Sequence, residues 1–407
     1  MSDHTTLLIT ISGRDRPGLS AQVFDALGGD VMDVGQSVLQ DRLVLLILLR
    51  LPPDDVASLT RSLQAVAAEL DLDVDISVTD GSDERHRGVR HHITVLASPL
   101  APRHVSAVSR AVASSGGNIE RIDRVAGYPV TAVEFVTAHA DPDALRTAVT
   151  DTAREEGIDV SIQPAGLDRF GRRLVVLDVD STLIQDEVIE LLAARTGNID
   201  AVAEITERAM RGEIDFAGSL TERVALLRGA PESVIDEARA QVRLTPGART
   251  LCRTLMRLGH EVALVSGGFA EVVEPLAEQL GVRHVRANRL EVHDGRLTGR
   301  VAGPIVDRAG KADALRGFAA ELGIPLERTV AIGDGANDLD MMSAAGLGVA
   351  FNAKPLVRQA ADTSVNVPFL DSVLFLLGIH REDIEAADAD GGIPGSAAGY
   401  GEVGQDR

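Results

Sequence analysis

A short apolar run followed by two aspartates restricts the fold of this chain more than any other feature. Residues 174–177 are all apolar, which is typical of a parallel strand buried on both faces. Asp178 and Asp180 follow at once, and small polar residues then lead into a helical pattern. Because open α/β sheets bind ligands beyond the carboxyl ends of their strands, the pair predicts a reactive site at a sheet edge. An Asp-rich turn that only caps a helix is the alternative.

Two later strands and one helix carry polar residues in a similar way. Residues 262–265 and 330–332 are apolar runs that predict two further buried strands, and a helix begins between them. The residues that follow these strands or open the helix are Ser266, Gly267, Lys311, Asp334, Asn337 and Asp338. One carboxylate can act as nucleophile and another as general acid and base, so the motifs together indicate an enzyme.

This order of acid pair, hydroxyl, lysine and acid pair resembles the haloacid dehalogenase superfamily of phosphatases, over roughly residues 173–378. The resemblance implies that Asp178 attacks phosphorus and that Asp180 protonates the leaving oxygen and then activates water. It implies that Ser266 and Lys311 hold the phosphoryl oxygens. An acid at position 180 favours a hydrolase or a phosphotransferase over the ion transporters of the superfamily.

The same resemblance implies a magnesium site. A phosphate dianion repels an attacking carboxylate, so a divalent cation must offset both charges, and hard oxygen ligands suit Mg²⁺. The implied ligands are Asp178, the backbone carbonyl of Asp180, and Asp334, with Asp338 orienting that shell or a bound water.

A helical insertion at about residues 185–245 predicts a cap over the site, and its residues suggest a substrate. Glu187, Met210, Phe216 and Arg223 resemble the acid, Met, Phe and Arg that phosphoserine phosphatases carry in their caps. The implied substrate is O-phospho-L-serine, its ammonium bound by Glu187 and its carboxylate by Arg223. Ser266, Gly267, Lys311 and Asn337 complete the implied substrate contacts.

Other interpretations of the cap and the catalytic half stay open. Taken singly, helical Glu and Arg are usually solvated, and Met and Phe usually lie in a core. Phosphothreonine, a phosphoprotein or a sugar phosphate are alternative substrates. An amino-acid sensor with an inactive catalytic half is an alternative of another class, but the intact Asp178, Asp180 and Lys311 argue against it.

The first 165 residues contain a faint repeat at an offset of about 85 residues. Residues 1–80 and 91–165 each predict the order strand, helix, two strands, helix, strand, which is a ferredoxin-like βαββαβ unit. The polar segment between Thr79 and Arg90 predicts a linker. The predicted fold class is therefore α/β, with a Rossmann-like parallel-sheet hydrolase core at 172–380, its helical cap, and two ferredoxin-like units before it. The acidic, Gly-rich residues 388–407 predict a disordered tail.

One loop of the first repeat suggests a regulatory site. Gly13, Asp15 and Gly18 lie between its first strand and first helix and resemble the ligand loop of ACT domains, which sense small amino acids. The implied effector is L-serine, although a plain turn with an Asp cap is the alternative. The second repeat lacks these residues and is expected to be structural or to form one wall of a shared site. Residues 43–49 lack clean alternation, which predicts a buried interface and a homodimer.

Charge and composition restrict partners and location. The net charge of -21 argues against binding nucleic acid or anionic membranes. Cys252 is the single cysteine, which favours a reducing compartment, and it is expected to be an inert core residue. No secretory signal is apparent at the start and the longest apolar run is too short to cross a bilayer, so we expect a cytoplasmic protein.

Overall fold

The computed structural model describes residues 4–80 and 89–392. The chain divides between residues 87 and 88 into two compact units. Among the described residues, no helix combines the length and the apolar character that a membrane crossing requires.

The first unit is an antiparallel sheet covered on one face by two helices. Its elements are β1 (Thr5–Arg14), α1 (Leu19–Asp25), β2 (Asp30–Leu39), β3 (Arg42–Leu51), α2 (Val56–Leu70) and β4 (Leu72–Thr79). The strand order is β2-β3-β1-β4. Every second residue of β3 from Leu43 to Leu51 is buried in the core, so burial alternates along a strand whose sequence is almost uniformly apolar. The ferredoxin-like prediction is confirmed for this unit.

The second unit begins with a sheet of the same topology. Its elements are β5 (Arg90–Ala97), α3 (Pro102–Ser114), β6 (Asn118–Ala126), β7 (Thr131–Ala138), α4 (Pro142–Glu156) and β8 (Asp159–Pro164). The strand order, β6-β7-β5-β8, matches that of the first unit, which confirms the repeat. Here both faces of the sheet are covered, because Leu96, Val125 and Val130 belong to the same apolar cluster as the strands and helices that follow.

The remainder of the second unit is built on one large sheet. Its strands are β9 (Leu174–Leu177), β10 (Glu261–Phe269), β11 (His284–His293), β12 (Arg296–Ala302), β13 (Thr329–Gly333), β14 (Leu347–Phe351) and β15 (Thr363–Val365). The order is β12-β11-β10-β9-β13-β14-β15, with every pair parallel except β11 and β12. The predicted parallel-sheet core is confirmed. The hairpin between β11 and β12 turns at Asp294 and Gly295, both with positive φ.

Helices cover both faces of this sheet and form an insertion after β9. The four helices of the insertion are α5 (Val188–Thr196), α6 (Ile199–Met210), α7 (Phe216–Ala225) and α8 (Ser233–Arg239). The others are α9 (Ala248–Arg257), α10 (Ala270–Leu280), α11 (Arg308–Leu322), α12 (Leu339–Ala344), α13 (Pro355–Ala360), α14 (Ser372–Leu376) and α15 (Arg381–Asp390). Cys252 is fully buried in α9, and burial raises the pKa of its thiol to about 12.

The end of the chain differs from the predicted tail. Residues 388–390 belong to α15, and the Asp388 carboxylate is buried between the guanidinium groups of Arg253 and Arg257. A buried, doubly paired carboxylate anchors the helix although its sequence shows no helical periodicity. The prediction of disorder was therefore wrong for these three residues. Residues 393–407 of the predicted tail, and residues 81–88 of the predicted linker, lie outside the described residues.

Candidate active site

The ends of three neighbouring strands meet at one point of the large sheet. Leu177 of β9 lies opposite Leu264 of β10 and Ile332 of β13. The residues after each of these positions therefore emerge side by side, and the Asp178 amide donates to the Ile332 carbonyl at 2.9 Å. β9 lies between β10 and β13, and the connections that follow these strands run to opposite sides of the sheet. This arrangement opens a crevice at the carboxyl ends of the strands in α/β sheets.

Lys311 binds two carboxylates at the bottom of this crevice. Its Nζ donates to Asp178 Oδ1 and to Asp338 Oδ1, both at 2.6 Å, and its side chain is only 1% exposed. Burial alone would lower the pKa of Lys311, but the two carboxylates outweigh it and hold the pKa above its usual value. The lysine is therefore a permanent positive charge.

Three carboxylates of the crevice lie close enough to share a cation. Asp178, Asp334 and Asp338 each offer one oxygen, and these oxygens lie within 4.8 Å of one another. Burial, followed by the charge of Asp338, raises the pKa of Asp178 well above its usual range, and the same two causes raise the pKa of Asp334 to about 6. One lysine does not balance this many buried carboxylates, so the all-oxygen group fits a divalent metal ion.

Asp180 lies beside this group but has different partners. Its Oδ2 accepts from the Ser266 hydroxyl at 2.8 Å, and its Oδ1 accepts from the Val188 amide at 2.8 Å. The Asp180 side chain is thus outside the three-carboxylate cluster, and it joins β10 to the first helix of the insertion. Ser181, with φ of 58°, turns the chain sharply after it.

Two glycines of β10 allow close approach to the crevice. A Cβ on Gly267 would lie 2.7 Å from the Phe216 ring, and one on Gly268 would lie 2.7 Å from Asp180 Oδ2. The insertion therefore touches the core through Phe216, and no larger residue fits at either glycine. The Gly268 amide also donates to Ser266 Oγ at 2.7 Å, which fixes that hydroxyl.

The two connections to the insertion run side by side. Ile184 and Leu244 form an antiparallel bridge, and the Asp186 carboxylate accepts from the amide and the guanidinium of Arg243. This pairing places the start of α5, and with it Glu187, at the edge of the crevice.

A cavity of about 560 Å³ lies between the strand ends and the insertion. The predicted site residues that line it are Asp178, Asp180, Glu187, Phe216, Arg223, Gly267, Lys311, Asp334 and Asn337. Ser266 and Asp338 are fully buried behind its wall. Met210 ends α6, but its side chain lies outside what the structure describes.

Glu187 and Arg223 give the cavity two charged groups away from the carboxylate cluster. The Glu187 carboxylate accepts from the Ser181 hydroxyl at 2.8 Å. Burial and the nearby charge of Asp180 raise the pKa of Glu187 to about 7. The Arg223 Nε donates to the Ser219 carbonyl at 3.3 Å, while its two terminal nitrogens bind no other group among the described residues.

Sequence reasoning missed two residues that fix the site. Asn288 is 1% exposed and connects the Gly267 carbonyl to the Val306 amide, at 2.8 and 2.7 Å. Thr182 donates to Asp334 Oδ1 at 3.3 Å. Thr182 lies inside the first motif, so its position in the sequence could have indicated a role in the site. Nothing in the sequence around Asn288 distinguishes it from other strand residues.

The predicted regulatory residues lie in the first unit, and the predicted position of one of them in a loop was wrong. Gly13 belongs to β1 and pairs with Leu43 and Leu72, where a Cβ would lie 2.4 Å from the Leu72 side chain. It is therefore a packing residue of the strand and not part of the loop. Asp15 is exposed in the loop, and Gly18 directly precedes α1 with φ of 84° and open space where a Cβ would lie.

Comparison with known proteins agrees with this architecture. A family model for haloacid dehalogenase-like hydrolases matches residues 175–343, and two ACT-domain models match residues 5–77 and 89–163. A phosphoserine phosphatase of Streptomyces coelicolor is 56% identical over 392 residues, which cover 95% of each chain. The chain belongs to the phosphoserine phosphatase family.

Further relatives of this family support the assignment. A phosphoserine phosphatase of Mycobacterium tuberculosis is 49% identical over 397 residues, covering 96% of this chain and 97% of that protein. A crystal structure of a probable phosphoserine phosphatase from Vibrio cholerae superposes with a TM-score of 0.57 at 34% identity, over 72% of this chain and 87% of the other. The resemblance inferred from the four motifs is therefore confirmed, as are a hydrolase domain and two ACT domains.

Proposed function

We propose that this chain hydrolyses O-phospho-L-serine to L-serine and phosphate in the last step of serine biosynthesis, with Mg²⁺ as cofactor. The observation that carries the proposal is the single cavity in which the Asp178–Lys311 pair faces Glu187 and Arg223 of the insertion. One end has the groups that phosphoryl transfer needs, and the other has one group for an ammonium and one for a carboxylate. The curated relatives that match the whole chain are named for this activity.

In the first half-reaction, an oxygen of Asp178 bonds to phosphorus while the bond from phosphorus to the serine oxygen breaks. Asp180 gives its proton to that leaving oxygen, which departs as the hydroxyl of L-serine. Lys311 holds Asp178 in place and offsets the charge of the phosphoryl oxygens. A Mg²⁺ ion held by Asp178, Asp334 and the Asp180 carbonyl, with Asp338 orienting that group, would supply further positive charge.

In the second half-reaction, Asp180 takes a proton from water, whose oxygen attacks phosphorus. The bond between phosphorus and the Asp178 oxygen breaks, which releases phosphate and restores the free Asp178 carboxylate. We assign Ser266 to the phosphoryl oxygens as well. Its hydroxyl is donated to Asp180, so this contact requires an exchange of hydrogen bonds when substrate enters.

Substrate choice is assigned to the insertion. The terminal nitrogens of Arg223, which have no partner among the residues that the structure covers, suit the carboxylate of phosphoserine, and Glu187 suits its ammonium. Phe216, Met210, Gly267 and Asn337 are proposed to enclose the rest of the substrate. A sugar phosphate has no group for either charge.

A substrate panel tests this function. Phosphoserine, phosphothreonine, a phosphopeptide, a sugar phosphate and an aryl phosphate are incubated with the protein and Mg²⁺, and released phosphate is measured. We expect the highest kcat/KM for phosphoserine. Equal or better hydrolysis of the sugar phosphate or the phosphopeptide would overturn the substrate assignment, and no release from any of them would overturn the enzymatic one.

We also propose that the first ACT domain binds a small amino acid, most simply the product L-serine, and changes the activity. The exposed Asp15 and the open Gly18 support a ligand loop there. A chain that starts at residue 88 tests this, since the described residues from 89 to 392 belong to one compact unit. We expect it to stay active and lose any serine response that rising phosphoserine does not relieve. If the response persists, the first unit is not the sensor.

A homodimer is proposed from the outward face of the first sheet. Leu8, Val44 and Leu46 point away from the core of that unit and are 38%, 43% and 43% exposed. A face of this kind favours association with a second copy. Light scattering after size-exclusion chromatography should give a dimer for the native chain and a monomer for Leu46→Glu. A monomeric native chain would contradict the proposal.

A further inference from the structure

The chain contains only two lysines, and their positions are informative. Of its 40 lysine and arginine residues, all except Lys311 and Lys354 are arginine. Both lysines line the same cavity. A chain that uses arginine everywhere else thus has its two compact ammonium groups at one place. The proposed function uses Lys311 and leaves Lys354 without a role.

The backbone at Lys354 is fixed, whereas its side chain is exposed. Lys354 follows β14 and precedes α13, and its carbonyl accepts from the amides of Val357 and Arg358 at 3.0 and 3.1 Å. Asn352, with φ of 49°, donates its amide to the Val365 carbonyl at 2.8 Å and directs the chain toward the cavity. The lysine therefore stands at a defined point of the rim with a mobile stem.

The ammonium of Lys354 has no ion-pair partner in the part of the chain that the structure describes. No carboxylate of the described residues lies within 4.0 Å of its ammonium. Lys311, by contrast, is bound to Asp178 and Asp338. Lys354 is the lysine of this cavity that can still form an ion pair.

A phosphorylated substrate needs such a group to enter. The chain has a net charge of -21, and the cavity is lined by Asp178, Asp180, Glu187 and Asp334. These charges repel a dianion, and a cation that lines the cavity and reaches solvent weakens that repulsion on the approach. An ammonium on a flexible stem can follow a moving phosphate group, whereas the planar guanidinium favours one fixed geometry.

We propose that Lys354 is a substrate-binding residue, which binds the phosphate group at the cavity entrance before that group reaches Lys311. This inference rests on the proposed phosphatase function. It adds Lys354 to the residues that select dianionic phosphate monoesters as substrates. Lys354 acts on entry and capture, so it affects KM and kcat/KM and leaves the bond-breaking step to the buried groups.

The chain offers a matched control for this proposal. Arg358 lies four residues further on, is also exposed, and donates to the Asn366 side chain at 3.0 Å. It lines a different cavity, between α4, β8 and α13. Lys354→Gln and Arg358→Gln therefore remove the same charge from the same segment, but only the first removes it from the entrance.

Steady-state kinetics of phosphoserine hydrolysis at low and high salt test the proposal. We expect Lys354→Gln to lower kcat/KM roughly tenfold at low salt through KM, with kcat unchanged, and to lose most of this effect at high salt. Arg358→Gln should resemble the native protein, and Lys354→Arg should recover part of the loss. A native KM in Lys354→Gln, an equal loss in Arg358→Gln, or a loss confined to kcat would overturn it. Thermal unfolding of each variant checks that the fold is retained.

A labelling experiment that requires no turnover separates this proposal from the enzymatic one. Pyridoxal 5′-phosphate carries an aldehyde and a phosphate; the Lys354 amine condenses with the aldehyde, releases water, and the imine is fixed with borohydride. Because Lys311 is 1% exposed, we expect Lys354 to be the modified lysine and inorganic phosphate to protect it, as read by peptide mass spectrometry. If phosphate gives no protection, Lys354 does not bind the phosphate group. If protection is found but no phosphoserine is hydrolysed, only the proposed function fails.

Discussion

The two ends of the cavity differ in how their polar groups are held. At the strand end, Asp178 and Asp338 share Lys311, and Asp180 accepts from both Ser266 and an amide. At the end formed by the insertion, the two terminal nitrogens of Arg223 bind no other group within residues 4–80 and 89–392. The polar side chains of the strand end are therefore held by other groups of the protein, whereas Arg223 at the insertion end is left to bind a ligand.

The difference indicates that the strand end is suited to the reaction and the insertion end to substrate selection. Groups at the ends of parallel strands are fixed by the sheet, so reaction chemistry placed there keeps its geometry. Charged groups on an inserted helix layer can be exchanged without disturbing the sheet. Variants at the two ends should therefore fail in different ways.

Asp178→Asn should produce the largest effect. An amide cannot form the phospho-enzyme, so we expect kcat to fall by more than about a hundredfold for every substrate, or about 2.7 kcal/mol in the barrier. The control is Asp313→Asn, an exposed carboxylate of α11, which should behave as the native protein. Circular dichroism verifies the fold. Retention of more than a hundredth of the rate would remove Asp178 as nucleophile.

Removal of divalent metal should also stop hydrolysis of all substrates. Exhaustive EDTA treatment leaves the clustered carboxylates without a counter-cation, and added Mg²⁺ should restore activity. Ca²⁺ should inhibit, because its larger and looser coordination misplaces the attacking oxygen. Asp334→Ala should raise the Mg²⁺ concentration needed for half-maximal activity. Full activity in the chelated enzyme would contradict the metal assignment.

Arg223→Ala should affect phosphoserine far more than an aryl phosphate. Loss of one charge-assisted hydrogen bond costs about 1.5–3 kcal/mol, which corresponds to a fall in kcat/KM of roughly 10- to 150-fold. Arg228→Ala, an exposed arginine just beyond α7 that donates to the Thr298 carbonyl, serves as the control. Equal losses on both substrates would place Arg223 in folding or general catalysis and remove the distinction between the two ends.

The pH dependence should show the smallest effect, and only at the insertion end. Glu187 has a raised pKa of about 7, so it is charged above that pH and loses its charge as the pH falls through it. The ratio of kcat/KM for phosphoserine to that for the aryl phosphate should therefore decline between about pH 8 and 6, by up to roughly tenfold. In Glu187→Gln the ratio should be low and flat. A sloping ratio in that variant would assign the titration to another group.

The sequence predicted the strand end well because its features are local. An apolar run followed by Asp178 and Asp180 marks a strand and its end, and the register of β9, β10 and β13 then brings the motifs together. The repeat was similarly visible, since each unit carries the same order of periodicities. The apolar runs and the periodicities can be recognised from neighbouring residues alone.

Tertiary pairing accounts for what was missed. The helix α15 depends on the ion pairs of Asp388 with Arg253 and Arg257, which are more than 130 residues away. Gly13 was assigned to a loop because β1 continues three residues past Ile11, its last apolar position. The hydrogen bond from the Ser266 hydroxyl to Asp180, and those of Asn288, appear only when separate strands are placed side by side.

The second ACT domain has a further consequence through its contact with β15, the outermost strand of the catalytic sheet. The Thr363 hydroxyl donates to the Val160 carbonyl, and buried Asp159 accepts from Ser364 and from the Asn366 amide, both at 2.7 Å. An uncovered edge strand is a template on which another chain can pair. The domain covers this edge, so we expect the fragment that begins after residue 165 to aggregate more readily than the chain that keeps the domain.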